Sequence, residues 1–160
     1  MMKKLLILLA IAFGTVLAGG ILIFALLIQP VLPKDPVLES LPEYESRDFY
    51  TSGGFQDFTD YARYTFGEKT LDLENHPLLR PVTWEDIPQI QTYLDDFEES
   101  AAACHDFPGE AYDFERDWLT EEDYFCITNR YEEPEKRFWS YNIYYFRQKD
   151  QTLYYFHNNI

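Results

Sequence analysis

A chain of 160 residues with a formal net charge of −15 has room for one small domain plus attachments. Its 28 acidic residues against 13 basic ones exclude a nucleic-acid partner, which would need clustered Lys and Arg to neutralise phosphates. An aromatic content of 18% excludes disorder as the source of the acidity, because disordered acidic segments are poor in aromatics.

From the N-terminus, Lys3 and Lys4 precede a run, Leu5 to Ile28, of 24 residues without a charge. As a helix that run spans about 36 Å, enough to cross a hydrocarbon core of roughly 30 Å. A cleaved signal peptide ending near Val16-Leu17-Ala18 is the competing reading. The apolar run continues past Ala18, however, and a mature chain starting at Gly19-Gly20-Ile21 makes a poor soluble terminus. Residues 1–29 are therefore expected to be a transmembrane signal anchor, with the membrane as one partner. The positive-inside rule puts the N-terminus in the cytoplasm and the remainder outside. Gly14, Thr15, Ala18 and Gly19 are small enough to admit a second helix, or are ordinary lipid-facing sequence.

Pro30, Pro33, Pro36 and Pro42 predict an extended stalk over residues 30–52. Residues 53–160 are expected to form the extracytoplasmic domain. Within it, Phe55, Phe58, Ala62 and Thr65 are spaced as one face of a short helix, closed by Gly67. The segment Thr83 to Asp123 holds fourteen acids and one base, Arg116. Solubility explains such acidity, and basic partners or divalent cations remain alternatives. Thr83 and Asp86 have capping-box spacing, and Ile87, Ile90, Leu94, Phe97, Ala101 and Cys104 form one apolar stripe. They predict a helix from Trp84 to about Cys104, with Asp95, Asp96, Glu98 and Glu99 facing water. A helical turn is expected around Glu110 to Trp118.

Three strands should follow, at Asp123–Asn129, Tyr141–Arg147 and Thr152–His157. The last two form a hairpin in which Phe146 faces Leu153, Tyr145 faces Tyr154, Tyr144 faces Tyr155, and Ile143 faces Phe156. Neither face of this hairpin is plainly polar. One helix stripe covers one face, so the other is expected to stay partly open, with Tyr144, Tyr145, Tyr154 and Tyr155 as the candidate partner surface. The expected fold is α+β, a transmembrane helix followed by two or three helices packed on a three-stranded antiparallel meander.

The stretches "VTWEDI", "TEEDYF" and "YNIYYF…LYYFHNNI" resemble small, membrane-anchored, uncharacterised extracytoplasmic proteins of Gram-positive bacteria, over most of Tyr61 to Ile160. The resemblance implies a bacterial cell-surface location and no activity.

Catalytic and cofactor signatures are missing from the sequence. Cys104 and Cys126 are a candidate disulfide in an oxidising compartment, closing a loop worth on the order of 3 kcal/mol. Strand parity opposes it if Phe125 and Ile127 meet the helix, and geometry decides. Cys104 and His105 are neighbours and do not face each other as nucleophile and base. Cys104, His105, Cys126 and His76 lack zinc-site spacing. Carboxylates adjacent on a solvated face, such as Asp95-Asp96 and Glu121-Glu122, do not oppose one another across a cleft. The leading expectation is a binding or accessory module with no cofactor, whose partner is another membrane or cell-surface protein. The alternatives are a small enzyme using carboxylates of the acidic segment, and a structural subunit acting through its span.

Overall fold

The computed structural model describes residues 35–53, 57–67, 71–104 and 106–160. The expected transmembrane helix, residues 1–29, lies outside the described residues. Among those described, no helix is long and apolar enough to cross a membrane.

The domain is a six-stranded antiparallel sheet carrying one long helix. In chain order the elements are α1 (Pro36–Ser40), β1 (Ser46–Gly53), β2 (Phe58–Thr65), β3 (Arg80–Pro81), α2 (Ile87–Ala103), β4 (Tyr124–Asn129), β5 (Ser140–Arg147) and β6 (Thr152–Asn159). The strands lie in the order β1-β2-β6-β5-β4-β3. This corrects the three-stranded meander. β4, β5 and β6 are neighbours as expected, but β2 and β1 extend the sheet beyond β6, and β3 extends it beyond β4. The class remains α+β.

β2 occupies the segment expected to be a helix. Its sequence, FTDYARYT, is rich in aromatic and β-branched residues. Both of its faces are buried, so apolar side chains at every spacing mimic a helical stripe. Thr59, Tyr61 and Arg63 turn to one face of the sheet, and Phe58, Asp60, Ala62 and Tyr64 to the other. Gly53, at φ +109°, ends β1. A Cβ there would lie 2.3 Å from the Asp57 carbonyl oxygen, so the return into β2 needs glycine.

The extended stalk is likewise corrected over its second half. Pro36 begins a helical turn, where a missing N–H costs nothing. β1 then pairs along its whole length with β2, from Ser46 opposite Thr65 to Gly53 opposite Phe58.

Two apolar clusters lie on the two faces of the sheet. The first packs Ile90, Tyr93, Leu94, Phe97 and Ala101 of α2, with Phe114 and Leu119, onto Tyr61, Phe125, Tyr141, Ile143, Tyr145, Tyr154 and Phe156. The second packs Val37 and Leu41, with Leu73 and Leu79, onto Ala62, Tyr64, Tyr144, Phe146 and Leu153. The hairpin register is the expected one, with Phe146 opposite Leu153 and Ile143 opposite Phe156. Helix α2 follows its expected stripe, but it begins at Ile87 and not at Trp84, with Asp86 as its N-cap. The expected capping box is not formed, since Asp86 is itself the N-cap; it accepts from the Thr83 N–H at 2.9 Å across the turn that precedes the helix. The Thr83 hydroxyl donates to the same carboxylate at 2.6 Å. The turn expected near Glu110 is two separate 3-10 turns, Gly109–Ala111 and Arg116–Trp118.

Candidate functional site

The proposed tyrosine surface is core. Tyr144, Tyr145 and Tyr154 are buried and Tyr155 is half-buried, because α1 and residues 71–79 cover part of the face that α2 leaves. The acidic segment supplies what the buried phenols need. Tyr61 donates to Asp113 at 2.6 Å, Tyr145 to Asp123 at 2.6 Å, Tyr141 to Asp96 at 2.9 Å and Tyr112 to Glu98 at 2.6 Å. Burial pushes all four phenol pKa values far above the ordinary range, and the adjoining carboxylates push the same way. Asp96 and Glu98 are therefore not simply solvating charges, as the sequence suggested. Arg63 bridges Asp113 and Asp48, and Arg116 bridges Asp95 and Glu98.

The two cysteines fall on opposite sides of the sheet. Cys104 lines a cleft of about 420 Å³ with Phe97, Ala101, Phe107 and Tyr112, on the α2 side. Cys126 packs against the second cluster. No disulfide joins them. Strand alternation keeps them apart, since Phe125 and Ile127 meet the α2 side and turn Cys126 away from it. His105 lies outside the described residues. Among the described residues, no three His, Cys, Asp or Glu side chains gather as a metal site. His76 is a loop pin, its Nδ1 accepting from the N–H groups of Leu78 and Leu79 at 3.2 and 2.9 Å.

A group that sequence reading passed over lies on the second face. Thr51, Asp60, His157, Asn142 and Thr128 stand directly opposite one another across β1, β2, β6, β5 and β4. They make a polar row on a face whose next two rows, through Ala62-Tyr155-Tyr144 and Tyr64-Leu153-Phe146, are mostly apolar. Thr51 is exposed, and His157, Asn142 and Thr128 are half-buried. Tyr155 donates to Asn142 Oδ1 at 2.9 Å, and Asn142 Nδ2 donates to Thr128 at 2.9 Å. The Phe58 and Tyr155 rings flank the His157 ring at 5.0 and 6.3 Å.

Asp60 is the anomaly in this row. Its residue exposure is 9%, and its Oδ1 is buried without a hydrogen-bond partner. Burial raises its pKa, against smaller opposing effects of the Thr51 hydroxyl, His157 and Arg47. Burial likewise lowers the pKa of His157. By contrast, the buried Asp86 is held by Arg80 and Thr83, and the buried Asp123 by Tyr145, Thr120 and the Gln148 N–H. The signal for the row was present in the sequence as alternation. Asp60, Asn142 and His157 interrupt three strands at matching register, but β2 had first to be recognised as a strand.

No known sequence family matches the chain, and neither a curated protein nor a solved structure matches it.

Proposed function

We propose that the chain is a membrane-anchored extracytoplasmic binding module that recognises its ligand through the polar row on the second sheet face. The observation that carries this reading is the partnerless, buried carboxylate oxygen of Asp60. Leaving such a group unsatisfied is costly, and a bound ion or polar ligand is one way to offset it; Ser52 Oγ, Arg63 Nε and His76 Nε2 are also without partners, but none of them belongs to the row. Anchoring is supported by the uncharged run Leu5 to Ile28 and by Lys3 and Lys4 before it. The enzymatic alternative is less well supported. Asp86 and Asp123 are engaged by structural partners, so among the described residues no second buried carboxylate is offered opposite Asp60.

The test of attachment is fractionation. The full-length protein should remain in the membrane pellet after an alkaline wash. External protease should digest the chain beyond about residue 29. A soluble mature form beginning near Gly19 contradicts the anchor.

A further inference from the structure

We infer that Asp60 and His157 together form a receptor for a primary ammonium group. This deepens the binding-module reading and rests on it, but it does not depend on membrane attachment.

Asp60 and His157 are direct cross-strand partners on β2 and β6 and lie on the same face of the sheet. His157 Nδ1 lies 2.9 Å from the carbonyl oxygen of Tyr141. A carbonyl only accepts, so the proton sits on Nδ1, and the neutral ring leaves a lone pair on Nε2. Asp60 Oδ1 is buried and has no hydrogen-bond partner. The polar groups next in the row are directed elsewhere, Tyr155 to Asn142 and Asn142 to Thr128. The basic residue acting on Asp60 from the same face, Arg47, has its guanidinium over the Phe49 and Tyr64 rings, 4.4 and 5.5 Å from their centroids.

What is missing is a donor that carries positive charge. A primary ammonium has three N–H donors on a compact head, and two of them answer Oδ1 and Nε2. The Phe58 and Tyr155 rings beside His157 offer apolar surface to an alkyl stem. A divalent metal is the poorer match, because the row supplies two ligand-type side chains where a protein zinc site takes three or four. The net charge of −15 enriches cations near the surface. Thr51, exposed on the edge strand, stands directly opposite Asp60.

The shared chemistry has two sources, a free alkylamine or a lysine side chain. The experiment is an NMR titration of the full-length chain in detergent micelles with butylammonium, with the peptide Gly-Lys-Gly, with butanol and with zinc ion. Both amines should give saturable shifts at the amides of Thr51, Asp60 and Asn142 and at the His157 ring, and butanol should give none. Asp60→Asn and His157→Gln should each weaken amine binding about tenfold or more, as expected for a lost charge-assisted bond. Thr51→Ala, which shortens the exposed side chain opposite Asp60, should not weaken it. Tighter binding of the peptide assigns the site to lysine side chains, and tighter binding of butylammonium to small amines. Either result supports the receptor. The inference is overturned if the amines give no saturable shift, if Asp60→Asn binds as the parent does, or if zinc binds at His157 while the amines are silent. Should the amines be silent while the fractionation result holds, the ammonium site falls and the anchored module stands.

Discussion

Arg80 grips Asp86 through two hydrogen bonds of 2.7 and 3.0 Å, while the Thr83 hydroxyl and N–H donate to the same carboxylate. The Arg80 guanidinium, ahead of Thr83, holds the Asp86 pKa down at about 2, against an ordinary value of 3.8. The group is depressed on folding, so its contribution is full above the ordinary value and disappears as pH falls through about 2. Asp86→Asn should remove that acid-dependent part of the stability, measured by urea unfolding at pH 6 and at pH 2.5. His76 has the opposite chemistry. Burial lowers its pKa below the ordinary 6.5, a Ser40 backbone contact opposing the shift. Its neutral ring is the one that accepts from Leu78 and Leu79. Stability is therefore complete above the unfolded value and falls as pH drops from about 6.5 toward the lower folded value. In His76→Gln, the loss of stability between pH 7 and pH 5 should be smaller than in the parent. At Tyr145, removal of the hydroxyl in Tyr145→Phe deprives Asp123 of a donor in a buried site. The expected cost is about 1.5–3 kcal/mol, typical of a hydrogen bond to a charged group, read from the urea midpoint.

Among the elements, α1 shows how a short segment changes the meaning of a face. Val37 is fully buried and Leu41 nearly so, packed with Leu73 and Leu79 over Phe146 and Leu153. Prolines in this stretch read as a stalk because they forbid a long helix, yet one turn opened by Pro36 is enough to supply Val37. Val37→Asp should lower the melting temperature by several degrees, since an unpaired charge cannot be buried there without a cost of several kcal/mol. An unchanged melting temperature would restore the stalk. The helix α2 and the β5–β6 hairpin were legible because each has a single dominant period with a clear start and turn. β2 was not, because burial on both faces erases the polar alternation that marks a strand. The pairing of β1 and β2 with the hairpin is a long-range event, and local patterning carries no record of it. Nor does composition record that Asp96, Glu98, Asp113 and Asp123 serve as acceptors for phenols, which only the packing of the acidic segment on the sheet creates.

For the whole molecule, the tyrosine-rich end is packed on both sides of the sheet, with the row through Asn142 and His157 left half-buried, and the acidic segment fastens onto it through phenol–carboxylate pairs. The buried phenols hold their protons far longer than phenols in an unfolded chain. Raised pKa values of this kind make stability fall as pH rises above the ordinary value of 10. Ultraviolet titration should accordingly show these tyrosines ionising together with loss of structure and not before it. The most direct measurement compares two double substitutions by urea unfolding, Tyr144→Ser with Tyr155→Ser, and Tyr145→Ser with Tyr154→Ser. Removing two packed aromatic rings from either side should cost about 3 kcal/mol or more, so both variants should be severely destabilised, the Tyr145 pair somewhat more. If either double variant unfolds within about 1 kcal/mol of the parent, as surface substitutions do, that face is not core and the account of the sheet is wrong.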